Sequence, residues 1–99
     1  QFVTVDAIQQ QVADHFRLHR AELIEKKRTR RVAVPRMIAI YLTKEMAGLS
    51  LKKIGECFGG RDHSTIIHAC EKIQKDRQED PELNREIDAL ILELKNRKP

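Results

Sequence analysis

Ninety-nine residues with a formal net charge of +4 fit a single domain with one core and little core to spare. No apolar run approaches the roughly 18 residues that a membrane-spanning helix needs, the start shows no secretory pattern, and two cysteines are too few for a disulfide framework. The chain opens on Gln1 rather than Met, as a fragment of something longer would.

The periodicity is helical throughout. Val5, Ile8, Val12 and Phe16 recur at helical steps, with Thr4 or Asp6 as the start signal. A short helix is expected from Arg20 to Glu25, with Leu23 and Ile24 inward. From Lys26 to Arg36 the chain reads KKRTRRVAVPR, with six cations and no acid. Its first part, Lys26 to Arg31, has no apolar residue to bury and reads as an exposed loop. Pro35 is expected in the first turn of the next helix, where its missing N–H costs nothing. That helix packs Ile38, Tyr41 and Leu42, runs to about Ala47 and ends at Gly48.

Ser50 is placed to cap a short helix, SLKKIGECF, with Leu51, Ile54 and Phe58 on one face. Gly59 and Gly60 supply a tight turn. Asp62 then caps a helix whose inward stripe is Ile66, Cys70 and Ile73, with Ile67 and Ala69 alongside. A last helix starts near Asp80–Pro81 and buries Leu83, Ile87, Leu90, Ile91 and Leu94; acids dominate from Glu79 to Glu93. No stretch alternates as a strand would. The expected class is all-α, a compact domain of five or six helices spanning residues 1–99, with a helix-turn-helix at about 50–78 and a basic loop at about 26–31.

A chain with one basic and one acidic pole presents its basic side to a polyanion. Within the helix-turn-helix, the first turn of the second helix is Arg61, Asp62, His63, Ser64 and Thr65, all polar and varied. A helix entering a major groove N-terminus first needs side chains of this kind at base edges, and it offers backbone N–H groups to phosphate. Asp accepts from cytosine N4, His donates or accepts, and Ser or Thr binds bases or phosphates. Taken singly, Asp62 reads as ordinary helix punctuation and the cation run as a solvated surface. Their joint presence in a short chain matches a known division of labour, a basic minor-groove arm beside a major-groove helix.

Other classes fit less well. The phosphate loop G-x-x-x-x-G-K-[ST] is missing, and the adjacent pairs Asp14–His15 and Asp62–His63 diverge by about 100° on a helix, so no catalytic role is expected. Cys57, His63, His68 and Cys70 lie close in sequence, but His63 and His68 diverge by roughly 140° and both thiols point inward, so no metal is expected. A protein-interaction module would leave the basic loop and the polar turn without a job. A repressor headpiece would need a dimer seam.

GGRDHSTIIHACEKI, residues 59–73, resembles the signature of the DnaA family of bacterial replication initiators. KKRTRRVAVPRMIAIYLTKE, residues 26–45, resembles the basic loop and long helix of the same family. The spacing between the two blocks matches as well, so the likeness extends over essentially the whole chain. It implies the C-terminal DNA-binding domain of such an initiator, in the cytoplasm on the nucleoid and without integral membrane association. It also implies double-stranded DNA as partner, the DnaA box of consensus TTATCCACA at chromosomal origins, bound by one monomer per box. No cofactor is implied for this domain, although ATP is implied for the full-length parent. By position, Arg28 matches the minor-groove arginine, and Asp62, His63 and Ser64 match the major-groove base readers. Arg36, Lys44, Thr65 and His68 fall at or near backbone-contacting or supporting positions. Lys26, Lys27, Arg30, Arg31, Lys52 and Arg61 complete the expected phosphate contacts. Two residues depart from the pattern: Ser64 stands where many relatives have Thr, losing a methyl that could meet a thymine, and Lys52 stands where some have Pro.

Overall fold

A computed structural model of the chain describes residues 2–26 and 29–97. Among these, six helices follow in chain order: α1 (Val5–His15), α2 (Arg20–Ile24), α3 (Arg30–Met46), α4 (Leu51–Cys57), α5 (His63–Glu79) and α6 (Pro81–Lys95). Their starts follow side-chain chemistry. Of the two candidates for the start of α1 it is Thr4 that caps, its Oγ1 accepting from the Ala7 amide at 3.1 Å. Ser50 Oγ accepts from the Lys53 amide at 3.1 Å. Asp80 Oδ1 accepts from the Glu82 and Leu83 amides at 3.1 and 3.2 Å, ahead of Pro81 in the first turn of α6. Each such bond satisfies a donor that the helix itself cannot.

The centre of the molecule is α3. Val32, Ile38, Ala39, Ile40, Tyr41 and Leu42 are buried on nearly every side of it, as expected of a helix packed all round. It contacts α1, α2, α4 and α5, while α6 closes over α1 and α5. Thr43 is buried among these apolar groups and donates to the Ala39 carbonyl at 2.7 Å, so its hydroxyl stays satisfied. Gln9 of α1 is buried as well. Its Nε2 donates to the Cys57 carbonyl at 3.0 Å and its Oε1 accepts from Arg20 Nε at 2.9 Å, joining α1, α2 and the end of α4. At the opposite end, Arg77 of α5 donates to the Tyr41 hydroxyl at 3.0 Å and to Asn84 Oδ1 at 2.8 Å, and pairs with Asp88. Its guanidinium also lies 5.7 Å from the centroid of the Tyr41 ring, within cation–π range.

Three expectations are corrected. First, α3 begins at Arg30, so Arg30 and Arg31 are helical rather than part of a loop, and Pro35 lies inside the helix instead of in its first turn. Val32 is buried and Arg31 pairs with Glu22 of α2 at 2.7 Å, which together anchor an extra turn ahead of the proline. Second, Ile67 is 37% exposed. The inward stripe of α5 is Ile66, Ala69 and Ile73, and a residue next to Ile66 is turned by about 100° away from it. Third, Cys57 and Cys70 are half-buried at the edge of the core rather than within it. On α6, Ile87, Leu90 and Leu94 are buried, whereas Leu83 and Ile91 flank them half-buried.

Close approach between α4 and α5 depends on Gly55. A Cβ there would lie 2.1 Å from the Arg61 carbonyl oxygen, and the Gly55 carbonyl itself accepts from the Gly60 and Arg61 amides at 2.9 Å each. Gly59 has φ 83°, and a Cβ on it would meet the Ile24 carbonyl oxygen at 2.3 Å, so the turn lies directly on the end of α2. Gly55→Ala in an unconstrained helix would stabilise by roughly 0.5–1 kcal/mol. Here it is expected to destabilise by about 2–3 kcal/mol, because main chain rather than a flexible side chain has to move. Urea unfolding followed by circular dichroism checks this, and a midpoint at or above the parent's would show that the turn can shift freely.

Candidate nucleic-acid interface

The first turn of α5 stands clear of the core. Asp62, His63, Ser64 and Thr65 are all exposed, as is His68 one turn further on. Asp62 occupies the cap position, but its carboxylate makes no capping bond to the helix. It accepts instead from the Ser64 hydroxyl at 2.7 Å, and His63 Nδ1 lies 3.3 Å from its other oxygen. The Ser64 hydroxyl is the main reason that the Asp62 carboxyl is held below its ordinary range, with the neighbouring His63 adding to it. Asp62 therefore presents an acceptor-only group at neutral pH. Ser64, with its proton committed to Asp62, turns lone pairs outward.

Two hollows flank this turn. On one side, between α4 and the start of α5, a depression of about 490 Å³ is bordered by Lys52, Glu56, Asp62 and His63. On the other, a groove of about 610 Å³ separates α3 from α5. Its floor is apolar, from Ala33, Met37, Ile40 and Ala69, and its rims carry Lys26, Thr29 and Arg30 on one side and Thr65 and His68 on the other. Sequence-derived candidates thus brought to one surface around α5 include Lys26, Arg30, Lys52, Asp62, His63, Thr65 and His68. Lys44, exposed in the last turn of α3, is near enough to Cys70 for its charge to act on the thiol, which burial nonetheless pushes up. Lys27 and Arg28 lie outside the described residues.

Three cations are placed differently from the free phosphate contacts expected of them. Arg31 is exposed but paired with Glu22, whose carboxylate also accepts from the His19 amide at 2.7 Å. Both bonds lower the Glu22 pKa, the His19 amide most. Arg36 is buried, with only 7% of its surface exposed; its Nε donates to the Leu23 carbonyl at 2.9 Å and its Nη2 to that of Glu22 at 2.7 Å. Arg61 donates through Nη2 to the Glu25 carbonyl at 2.7 Å and through Nη1 to those of Ile24, at 3.2 Å, and Phe58. Two guanidiniums thereby satisfy four consecutive carbonyls, Glu22 to Glu25, at the end of a five-residue helix. Burial, with the charge of Arg61 adding, lowers the Arg36 pKa, yet an arginine starts so high that it stays charged. Sequence reasoning missed this pair and missed Gly55, whose one visible signal was a glycine in the middle of a helical pattern.

Among the described residues no group of three or more His, Cys, Asp or Glu side chains is arranged to hold a metal ion. No helix among them is long and apolar enough to cross a membrane.

The structural role of Arg61 predicts a stability effect that an exposed cation would not have. Arg61→Met keeps most of the apolar stem but leaves the Ile24 and Glu25 carbonyls without their donor, for an expected loss of about 2–3 kcal/mol. Arg30→Ala, at an exposed position on the groove rim, should change stability by no more than about 0.5 kcal/mol. Equal unfolding midpoints for the two variants would count against the difference drawn between them.

Comparison with known proteins follows the same surface. Residues 5–73, from α1 through both walls of the groove, match the family described as bacterial dnaA protein helix-turn-helix. Over 93 residues, 94% of the chain, the sequence is 48% identical to the chromosomal replication initiator protein DnaA of Symbiobacterium thermophilum. The aligned stretch is 20% of that relative, so the chain spans about a fifth of its length.

Proposed function

The chain belongs to the bacterial DnaA helix-turn-helix family, and we propose that it binds double-stranded DNA sequence-specifically, at DnaA boxes of consensus TTATCCACA, in the initiation of chromosome replication. One observation carries this reading. The exposed turn Asp62–Thr65 projects from α5 with cations on both sides, Lys52 from α4 and Lys26 and Arg30 from the rim of α3. A helix so presented fits a major groove of about 12 Å, with flanking cations directed to the phosphates of either strand.

In this reading each residue has a distinct task. Asp62, ionised, accepts from a cytosine N4 amine, which a thymine or guanine in the same place cannot supply. Ser64 offers lone pairs because its proton is held by Asp62. His63, exposed on the outer surface with its Nδ1 beside Asp62, donates or accepts at a base edge. Thr65, His68, Lys26, Arg30 and Lys52 hold the backbone, with Lys44 further along. Arg28 enters the adjacent minor groove, where A·T sequence narrows the groove and deepens its negative potential, and Lys27 supports it. Arg36 and Arg61 act one step removed, by fixing the elements that carry these groups. One domain occupies one box and performs no chemistry itself. ATP belongs to the remainder of a longer initiator acting at the nucleoid.

Fluorescence anisotropy on a box duplex and a scrambled duplex, over a salt series, tests the assignment. His63→Ala should lose roughly 1–3 kcal/mol on the box and little on the scrambled duplex. Lys26→Ala combined with Arg30→Ala should weaken both duplexes and flatten the log–log salt slope by up to about two units. A parent domain that binds both duplexes equally would sink the proposal. A His63 variant that loses equally on both would move His63 from base reading to backbone contact.

A further inference from the structure

In the hollow between α4 and the first turn of α5, a cation faces two carboxylates and pairs with neither. Lys52 and Lys53 adjoin in the first turn of α4, and both are exposed. Lys53 pairs with Glu56 at 3.7 Å, whereas Lys52 makes no ion pair or hydrogen bond among the described residues. Lys52 borders the hollow of about 490 Å³ together with Glu56, Asp62 and His63. Phosphate, being anionic, is repelled from a space that holds two carboxylates, while the uncharged edge of a base is not. Helix stability gives no reason for the lysine. The first turn of α4 has no acid, and cations there meet the positive end of the helix. The residue is also a departure from the family pattern, because proline, which stands here in some relatives, has no hydrogen to donate.

We infer that Lys52 is a further specificity-determining residue, one that donates from its ammonium to O6 and N7 of a guanine in the C·G pairs read by Asp62. This inference rests on the proposed binding of double-stranded DNA by α5. It deepens the backbone role given to Lys52 above, since an ammonium has three donors and a phosphate at the outer edge of the hollow occupies only one. In the major groove a C·G pair shows the cytosine N4 donor beside the two guanine acceptors. Asp62 is an acceptor-only group and Lys52 a donor-only one, so the two sides of the hollow match the two halves of that edge. A T·A pair in the same place sets thymine O4 against the carboxylate and the adenine N6 amine against the ammonium, and both reject it. The flexible four-carbon stem of lysine supplies the reach from α4 to the base.

The test removes the acceptor from the base and the donor from the protein. The parent domain and Lys52→Ala are titrated by anisotropy against the TTATCCACA duplex, against the same duplex with each guanine of the complementary strand replaced in turn by 7-deazaguanine, and against a scrambled duplex. The 7-deaza base keeps the pairing and O6 and exchanges only N7 for C–H. At one guanine position the parent should weaken about three- to tenfold. Lys52→Ala should lose a similar factor on the unmodified box beyond whatever it loses on the scrambled duplex, and should be indifferent to 7-deazaguanine at that position. Circular dichroism reports whether the variant is folded, and the parent's response to the modified duplexes needs no variant. The inference is overturned if the parent ignores 7-deazaguanine at every position, or if the two losses multiply independently. Equal weakening of box and scrambled duplex by Lys52→Ala overturns it too, as the result expected of a cation that meets phosphate alone. A parent that fails to distinguish box from scrambled overturns the underlying proposal as well, and the unmodified duplexes alone reveal that case.

Discussion

Four carbonyl groups at the end of a five-residue helix set the terms for the rest of the molecule. A helix that short cannot satisfy the carbonyls of its last turn internally, and the Leu23 carbonyl among them is buried. Arg36 reaches them from α3 and Arg61 from the turn before α5. The two guanidiniums repel one another, and burial opposes the charge on Arg36. The arrangement holds because each cation is surrounded by fixed acceptors, and hydrogen bonds from a charged donor are stronger than those between neutral groups. With Gly59 pressed against the Ile24 carbonyl at the same place, α2 becomes the block against which the helix-turn-helix is aligned with α3.

That alignment creates the groove. Its walls are the first turns of α3 and α5, and the two arginines form part of its inner lining. Slackening at α2 would let Lys26 and Arg30 drift relative to Thr65 and His68, without any change in the side chains themselves. At the other end Arg77 ties α5 to Tyr41 of α3 and to Asn84 and Asp88 of α6. Helix α5 is therefore held near both of its ends and along its inward stripe, while its outward face is exposed. The acids of α6 are engaged elsewhere. Glu86 meets His15 and Glu93 meets Gln11 of α1, and no residue of α6 borders either hollow beside the first turn of α5. Separation of charge between the two poles follows from which helices pack together.

Much of the fold is legible in the sequence alone. Thr4, Ser50 and Asp80 announce helix starts because capping is a local bond between a side chain and an amide two or three residues on. Apolar spacing locates the helices, Gly59–Gly60 marks the turn, and the block from Gly59 to Ile73 carries the family resemblance that the match over residues 5–73 then bears out. Periodicity was less dependable at its edges. It placed Cys70 in the inward stripe and Ile67 alongside it, where Ala69 is the buried member, because a run of adjacent apolar residues does not say which of them is centred on the core. It also started α3 too late, because the anchor of its first turn, the pairing of Arg31 with Glu22, joins two elements that no local pattern connects.

The sequence by itself determined the all-helical class, the order and approximate limits of the helices, and a polar, varied first turn at Asp62–Thr65, since each depends on residues within a few positions of one another. Tertiary structure alone decided which cations are free to meet a polyanion. Arg30 and Arg36 sit six positions apart in one basic stretch, yet Arg30 faces the groove rim and Arg36 is buried against carbonyls. A guanidinium's role is set by whichever acceptor it reaches, and those acceptors come from a different helix, brought within range only when the core closes.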